Sequence, residues 1–135
     1  MFELDPRLKN DTFLLGDFSL CRLLLMNDSS YPWFILVPQR VDIREIHHLT
    51  IKDQQQLWQE SAELSRWVER AFQYDKLNIA ALGNVVSQLH LHHVARSVAD
   101  STWPGPVWGA QPAVPYSEAQ VETIREKVQL GQLKG

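Results

Sequence analysis

Gln88, His90 and His92 are spaced two apart in the segment Gln88-Leu89-His90-Leu91-His92-His93, and no other stretch of the chain gathers as much reactive chemistry. In an extended strand alternate side chains share a face. The spacing therefore predicts Gln88, His90 and His92 on one side and Leu89, Leu91 and His93 on the other. The apolar side can join a core. The other sets an amide and two imidazoles in a row, roughly 7 Å between alternate residues. Near neutral pH an imidazole can serve as nucleophile, proton carrier or metal ligand.

Three readings of the row compete. His90 and His92 can be a hydrogen-bonded structural pair. They can be two metal ligands, but zinc usually takes a third protein ligand. His47-His48 would supply one only through a long-range contact and the single cysteine, Cys21, does not help, so no metal site is assigned. The third reading is nucleophilic catalysis on a rigid strand.

The elements that must position this row are legible in outline. Phe13-Leu14-Leu15 and Phe18 to Met26 are apolar runs split by Gly16-Asp17, a hairpin-turn signal. Asn27-Asp28-Ser29-Ser30 is a second turn, and Trp33 to Val37, stopped by Pro38, reads as a buried strand. Ile43 to Leu49 suits a short helix. Thr50 is then a candidate N-cap for a long amphipathic helix over 53–74, with Leu57, Leu64, Val68 and Ala71 on its apolar stripe and Glu60 off it. Leu77 to Leu82 is a fourth strand, Gly83-Asn84 a turn or bulge, and 87–95 a fifth strand. Ser117-Glu-Ala-Gln120 has the pattern of a capping box opening a final helix that ends at Gly131. The order predicts an α+β fold with a five-stranded, mostly antiparallel sheet, one long helix, a short helix and a C-terminal helix.

Composition sets limits. A chain of 135 residues fits one domain with one sizeable core. A net charge of -3 gives no electrostatic reason to expect a nucleic-acid polymer or a membrane surface as partner. Cys21 lies in an apolar run and reads as a small core residue. Leu23 to Met26 is too short to span a bilayer and the N-terminus lacks a signal-peptide pattern, so a cytoplasmic protein is expected. Trp103, Trp108 and the surrounding prolines are costly to leave in water. This segment is expected to pack on the core or on a second subunit.

Beyond these local readings, Gln88-Leu89-His90-Leu91-His92-His93-Val94 resembles the His-φ-His-φ-His-φ-φ motif of the histidine triad (HIT) superfamily, φ being apolar. Asn27 after an apolar strand, Trp33 to Pro38, Leu77-Asn78-Ile79, Gly83-Asn84 and Arg96 follow in the order seen there, so the likeness covers roughly residues 10–98. It implies a HIT-like domain over 1–100, with 101–135 completing the same domain, and a hydrolase or transferase acting at the α-phosphate of dinucleoside polyphosphates or related nucleotides. His90 would be the nucleophile that forms a nucleotidyl-histidine. His92 would contact phosphate, and Gln88 would stand behind the nucleophile. Asn84 and Gly83 would add donors to the phosphate, Asn27 would hold the ribose, Arg96 is a further candidate ligand, and Leu25 and Phe34 would flank the base. No cofactor is implied, and the family's two-fold dimers imply a homodimer.

Two departures stand out. Gln88 occupies the first triad position and cannot carry a proton at neutral pH. Val85 stands where many relatives have a hydroxyl near the leaving group, which disfavours phosphoramidates. The alternative from another class is a nucleotide-binding module with weak or no turnover.

Overall fold

The computed structural model describes residues 1–131 and 133. The elements are α1 (Pro6–Asp11), β1 (Thr12–Asp17), β2 (Cys21–Met26), β3 (Trp33–Pro38), a 3₁₀ turn (Ile46–His48), α2 (Ile51–Phe72), β4 (Lys76–Ala80), β5 (Leu91–Arg96) and α3 (Glu118–Leu130). The strands form one sheet in the order β1-β2-β3-β5-β4, with every neighbour antiparallel. This is the expected α+β architecture, with α1 as an additional element.

Strict alternation divides the sheet into two faces. Leu23 and Leu25 of β2, Phe34 and Leu36 of β3 and Leu91 and Ala95 of β5 pack with Leu57, Leu64, Trp67 and Val68 of α2 in the main core. Leu24, Trp33, Ile35, Val37 and Val94 face the opposite way. There they pack with Leu8 of α1 and Val107 of the proline-rich segment. The turn that carries Val107 and Trp108 therefore covers part of this second face. No helix among the described residues is long and apolar enough to cross a membrane.

Local chemistry explains the boundaries. Thr50 caps α2 by accepting from the Asp53 N–H at 3.1 Å. Ser117 and Gln120 close a reciprocal capping box at the start of α3. Gly131 does follow α3, but at φ -74° it needs no left-handed freedom. A side chain there would collide with the Trp67 ring, so close approach is what calls for glycine.

Several expectations are corrected. Gly16-Asp17 is not the hairpin turn. Both lie in β1, where the register shifts between Leu14 and Gly16, and the turn falls at residues 18–20, closed by the Phe18 N–H to Cys21 carbonyl bond of 2.8 Å. That turn explains Glu60, which belongs to the buried side of α2 after all. Its carboxylate accepts from the Leu20 and Cys21 N–H groups, each at 2.8 Å, and from the Gln56 amide at 2.7 Å. Cys21 itself is fully buried, and burial pushes its thiol pKa up. The short helix over 43–49 shrinks to a single 3₁₀ turn, and β4 ends at Ala80.

The fifth strand starts at Leu91, four residues later than expected. Leu91 pairs with Leu36, and continuing that register would set Leu89 opposite Pro38, which has no N–H to offer. Leu89 instead donates its N–H to the Ile43 carbonyl at 2.9 Å. Residues 87–90 thus form a bent approach to the strand, and this bend changes the geometry of the histidine row.

Candidate active site

His92 lies in β5 opposite Ile35 of β3 and Ala80 of β4, and His90 sits in the bend just before the strand. Because the backbone bends, the two rings do not stand a strand repeat apart. Their centroids are 4.8 Å apart in an edge-to-face arrangement. Both are largely buried, and both line one cleft of about 370 Å³. Its other walls are Arg7, Leu8 and Asp11 of α1, Met26, the 82–86 turn and Trp108.

The protonation of each ring follows from its partner. His90 Nδ1 lies 2.7 Å from the backbone carbonyl of Gln88. A carbonyl only accepts, so Nδ1 carries a proton, and the neutral tautomer this selects keeps its lone pair on Nε2. His92 Nδ1 lies 3.0 Å from Nε1 of Trp33. An indole only donates, so this Nδ1 is bare and the neutral ring carries its proton on Nε2. Burial, with His90 and His93 nearby, lowers the His92 pKa to about 3, which keeps it neutral. Among the described residues neither Nε2 meets a partner, and the buried side-chain polar atom left without one is Trp108 Nε1. Both Nε2 atoms are therefore open to the cleft, one with a free lone pair and the other with an N–H to donate.

The 82–86 turn forms the facing wall. Gly83 has φ 77°, a left-handed conformation that glycine adopts without strain. This presents Asn84, whose exposed amide lies on the cleft, and Val85, which offers no hydroxyl.

Other expected site residues are placed elsewhere. The Gln88 side chain does not join the imidazole row. Its Oε1 accepts from the Asp5 N–H at 2.9 Å and its Nε2 donates to the Glu3 carbonyl at 2.8 Å, tying down the segment that leads into α1. Only its backbone serves His90. Asn27 Oδ1 accepts from the Tyr116 N–H at 2.9 Å, so the amide anchors the chain leading into α3. Leu25 and Phe34 point into the main core rather than the cleft, because one step along a strand reverses the face. Met26 is the β2 residue on the cleft wall.

Arg96 is likewise internal. It is 1% exposed, paired with the Asp100 carboxylate at 2.9 and 3.1 Å, and bonded to Asn78 and Thr102. Its guanidinium also lies 5.4 Å from the Tyr31 ring centroid and 5.8 Å from that of Trp103. With four of its five N–H donors occupied, it organises the loop after β5. His93 turns to the helical face as expected and pairs with the Ser61 hydroxyl at 2.7 Å. Among the described residues no group of three or more His, Cys, Asp or Glu side chains could hold a metal ion.

Trp33 and Trp108 are the site residues that pattern reading passed over, since tryptophans in apolar surroundings read as packing. Their rings lie 5.8 and 5.2 Å from His92 and 6.0 Å from each other. The overlooked signal in Trp33 is its place at the start of a buried strand, where its N–H needs an acceptor.

A family profile described as "HIT domain" matches residues 7–98. The chain is similar to a histidine triad protein from Marinobacter aquaeolei VT8, with 52% identity, a TM-score of 0.95 and 98% of each chain covered. A histidine triad protein from Sinorhizobium meliloti 1021 matches at 44% identity and TM-score 0.94 over 97% of each chain. One from Bradyrhizobium japonicum matches at 41% identity and TM-score 0.94, covering 96% of this chain and 97% of that one. Among curated proteins none matches.

Proposed function

This chain belongs to the HIT domain family, and from that membership we propose that it is a nucleotide hydrolase or transferase. In this reading it acts at the α-phosphate of dinucleoside polyphosphates or related nucleotides through a nucleotidyl-histidine. The observation that carries the reading is the opposite protonation of two adjacent imidazoles whose Nε2 atoms both open on one cleft.

The chemistry follows from that pair. His90 Nε2 offers a lone pair to phosphorus, and two displacements through a covalent intermediate replace one difficult hydrolysis. His92 Nε2–H donates to a phosphoryl oxygen. The Asn84 amide, presented by Gly83, adds a second donor to the charge that builds on those oxygens. Leu8, Met26, Leu82 and Val86 give the cleft an apolar flank for the nucleoside.

A test is steady-state hydrolysis of a diadenosine polyphosphate. His90→Ala removes an interaction made only along the reaction path, so turnover is lost while nucleotide affinity persists. His92→Ala should lower kcat by about 10²–10³-fold, as for loss of one oriented donor. A His90→Ala variant within a few-fold of wild type contradicts the assignment. The position of Gln88 outside the imidazole row favours a second reading, a nucleotide-binding module with weak turnover. Wild-type binding without turnover would select it.

We also propose a homodimer. Among the described residues β4 pairs only with β5, so its outer edge is open, and Ile79 on it is 43% exposed. Pairing of two such edges would cover both. Sedimentation equilibrium at micromolar concentration distinguishes a dimer from the 15.6 kDa monomer.

A further inference from the structure

We propose that Trp33 is a positioning residue that makes this a site without a proton relay. It would accordingly be selective for nucleotides whose leaving group departs as a stable oxyanion, such as a phosphate or polyphosphate. The inference rests on the reading of His90 as nucleophile.

Each imidazole is held by a group that cannot move a proton. The Gln88 carbonyl accepts from His90 Nδ1 and has nothing to give. The Trp33 indole donates to His92 Nδ1 and cannot accept. For His92 to become an imidazolium, a proton must enter at Nδ1, where the Trp33 N–H already points. Two donors would then face each other at 3.0 Å in a buried pocket. Trp33 is 6% exposed and wedged against Tyr31 and Trp108, so it has little room to turn away.

Among the described residues the rest of the cleft offers no substitute acid: no Ser, Thr, Tyr, Cys or Lys lines it. Its other charged residues are Arg7 and Asp11 from α1. A guanidinium holds its proton, and an ionised carboxylate is acceptor-only. Asp11 also accepts from the Asn10 amide at 3.2 Å. The remaining ionisable neighbours of His92 are His90, whose Nε2 is consumed by the attack, and His93, which faces α2.

The reaction balances without an acid only for certain substrates. The lone pair of His90 Nε2 forms the N–P bond, and the bond from phosphorus to the leaving oxygen breaks with its electron pair on that oxygen. A phosphate or polyphosphate leaves as the anion. Water then forms a new P–O bond, the N–P pair returns to Nε2, and the water's proton goes to solvent. An amine or alkoxide leaving group would need a proton that none of the described cleft residues supplies.

The test uses adenosine 5′-monophosphate aryl esters with phenols of graded acidity, plus adenosine 5′-phosphoramidate, hydrolysed by the wild-type protein. We expect kcat/KM to fall at least about threefold per unit rise in phenol pKa, a strong Brønsted dependence. Phosphoramidate turnover is expected below about a thousandth of the best ester's. ¹H–¹⁵N spectra should place the His92 proton on Nε2 without change from about pH 5 to about pH 9. In Trp33→Phe, Nδ1 of His92 should begin to titrate and the leaving-group dependence should become shallower. A flat dependence, efficient phosphoramidate cleavage, or an Nδ1-protonated His92 in the wild type overturns this inference and leaves the nucleophile standing. Hydrolysis of no member of the series overturns the reading of His90, and this inference with it.

Discussion

The backbone carbonyl of Gln88 accepts the Nδ1 proton of His90 at 2.7 Å, while the side chain of the same residue turns away to the N-terminal segment. One residue thus does two jobs. Its main chain orients the His90 ring, and its amide fastens the segment that leads into α1 on the cleft wall.

This division predicts how Gln88 responds to substitution. Gln88→Met keeps the shape and the carbonyl but removes both ties to Glu3 and Asp5. Two partly exposed hydrogen bonds are lost, so stability should fall by about 1–2 kcal/mol in urea titration. Amide exchange at residues 3–8 should accelerate, while kcat falls less than about tenfold because the group aiming His90 remains. A loss of turnover as deep as that of His90→Ala would show that the amide acts in the imidazole row.

The buried imidazoles predict a stability change with pH. His92 and His93 have pKa values lowered by burial to about 3 and about 4, against an ordinary 6.5. As pH falls below about 6.5 the unfolded chain gains protons on both residues that the folded chain refuses. Their contribution is complete above that value and is lost progressively as pH falls toward about 4 for His93 and about 3 for His92. Urea midpoints measured across this range should drop, and His93→Gln should flatten the slope. A wild-type midpoint unchanged between those limits contradicts the assignment of neutral buried rings.

Arg96 and Asp100 should prove structural. Asp100→Ala would leave the Arg96 guanidinium buried without its carboxylate, which costs about 3 kcal/mol or more. Hydrogen bonds from Arg96 hold the Asp100 pKa down to about 2, from an ordinary 3.8. The pair's contribution is therefore present above the ordinary value and is lost as pH falls through about 2. In nucleotide titrations of the folded variant, affinity should stay within a few-fold of wild type. A selective loss of affinity with unchanged stability would return Arg96 to the site.

The contrast between Arg96 and His90 shows what the sequence disclosed. Residue type identified β3, periodicity α2 and capping chemistry the start of α3, because each rests on local pattern. Pattern reading also placed Leu91 and His93 on the helical face, since alternation needs only a strand. It misplaced Gly16-Asp17 and the start of β5, where a bulge and a distant proline decide the boundary. Arg96 and Asn27 had plausible ligand chemistry, but their partners Asp100 and Tyr116 are chosen by tertiary packing. The same packing turned Trp33, read as strand filler, into the residue that fixes His92.

The most direct test is covalent. Wild-type protein mixed with a diadenosine polyphosphate and acid-free quenched within its first turnovers should gain the mass of one adenylyl group. Peptide mapping should place that group on His90, and His90→Asn should show none. Turnover without any adduct, or an adduct on another residue, would contradict the account.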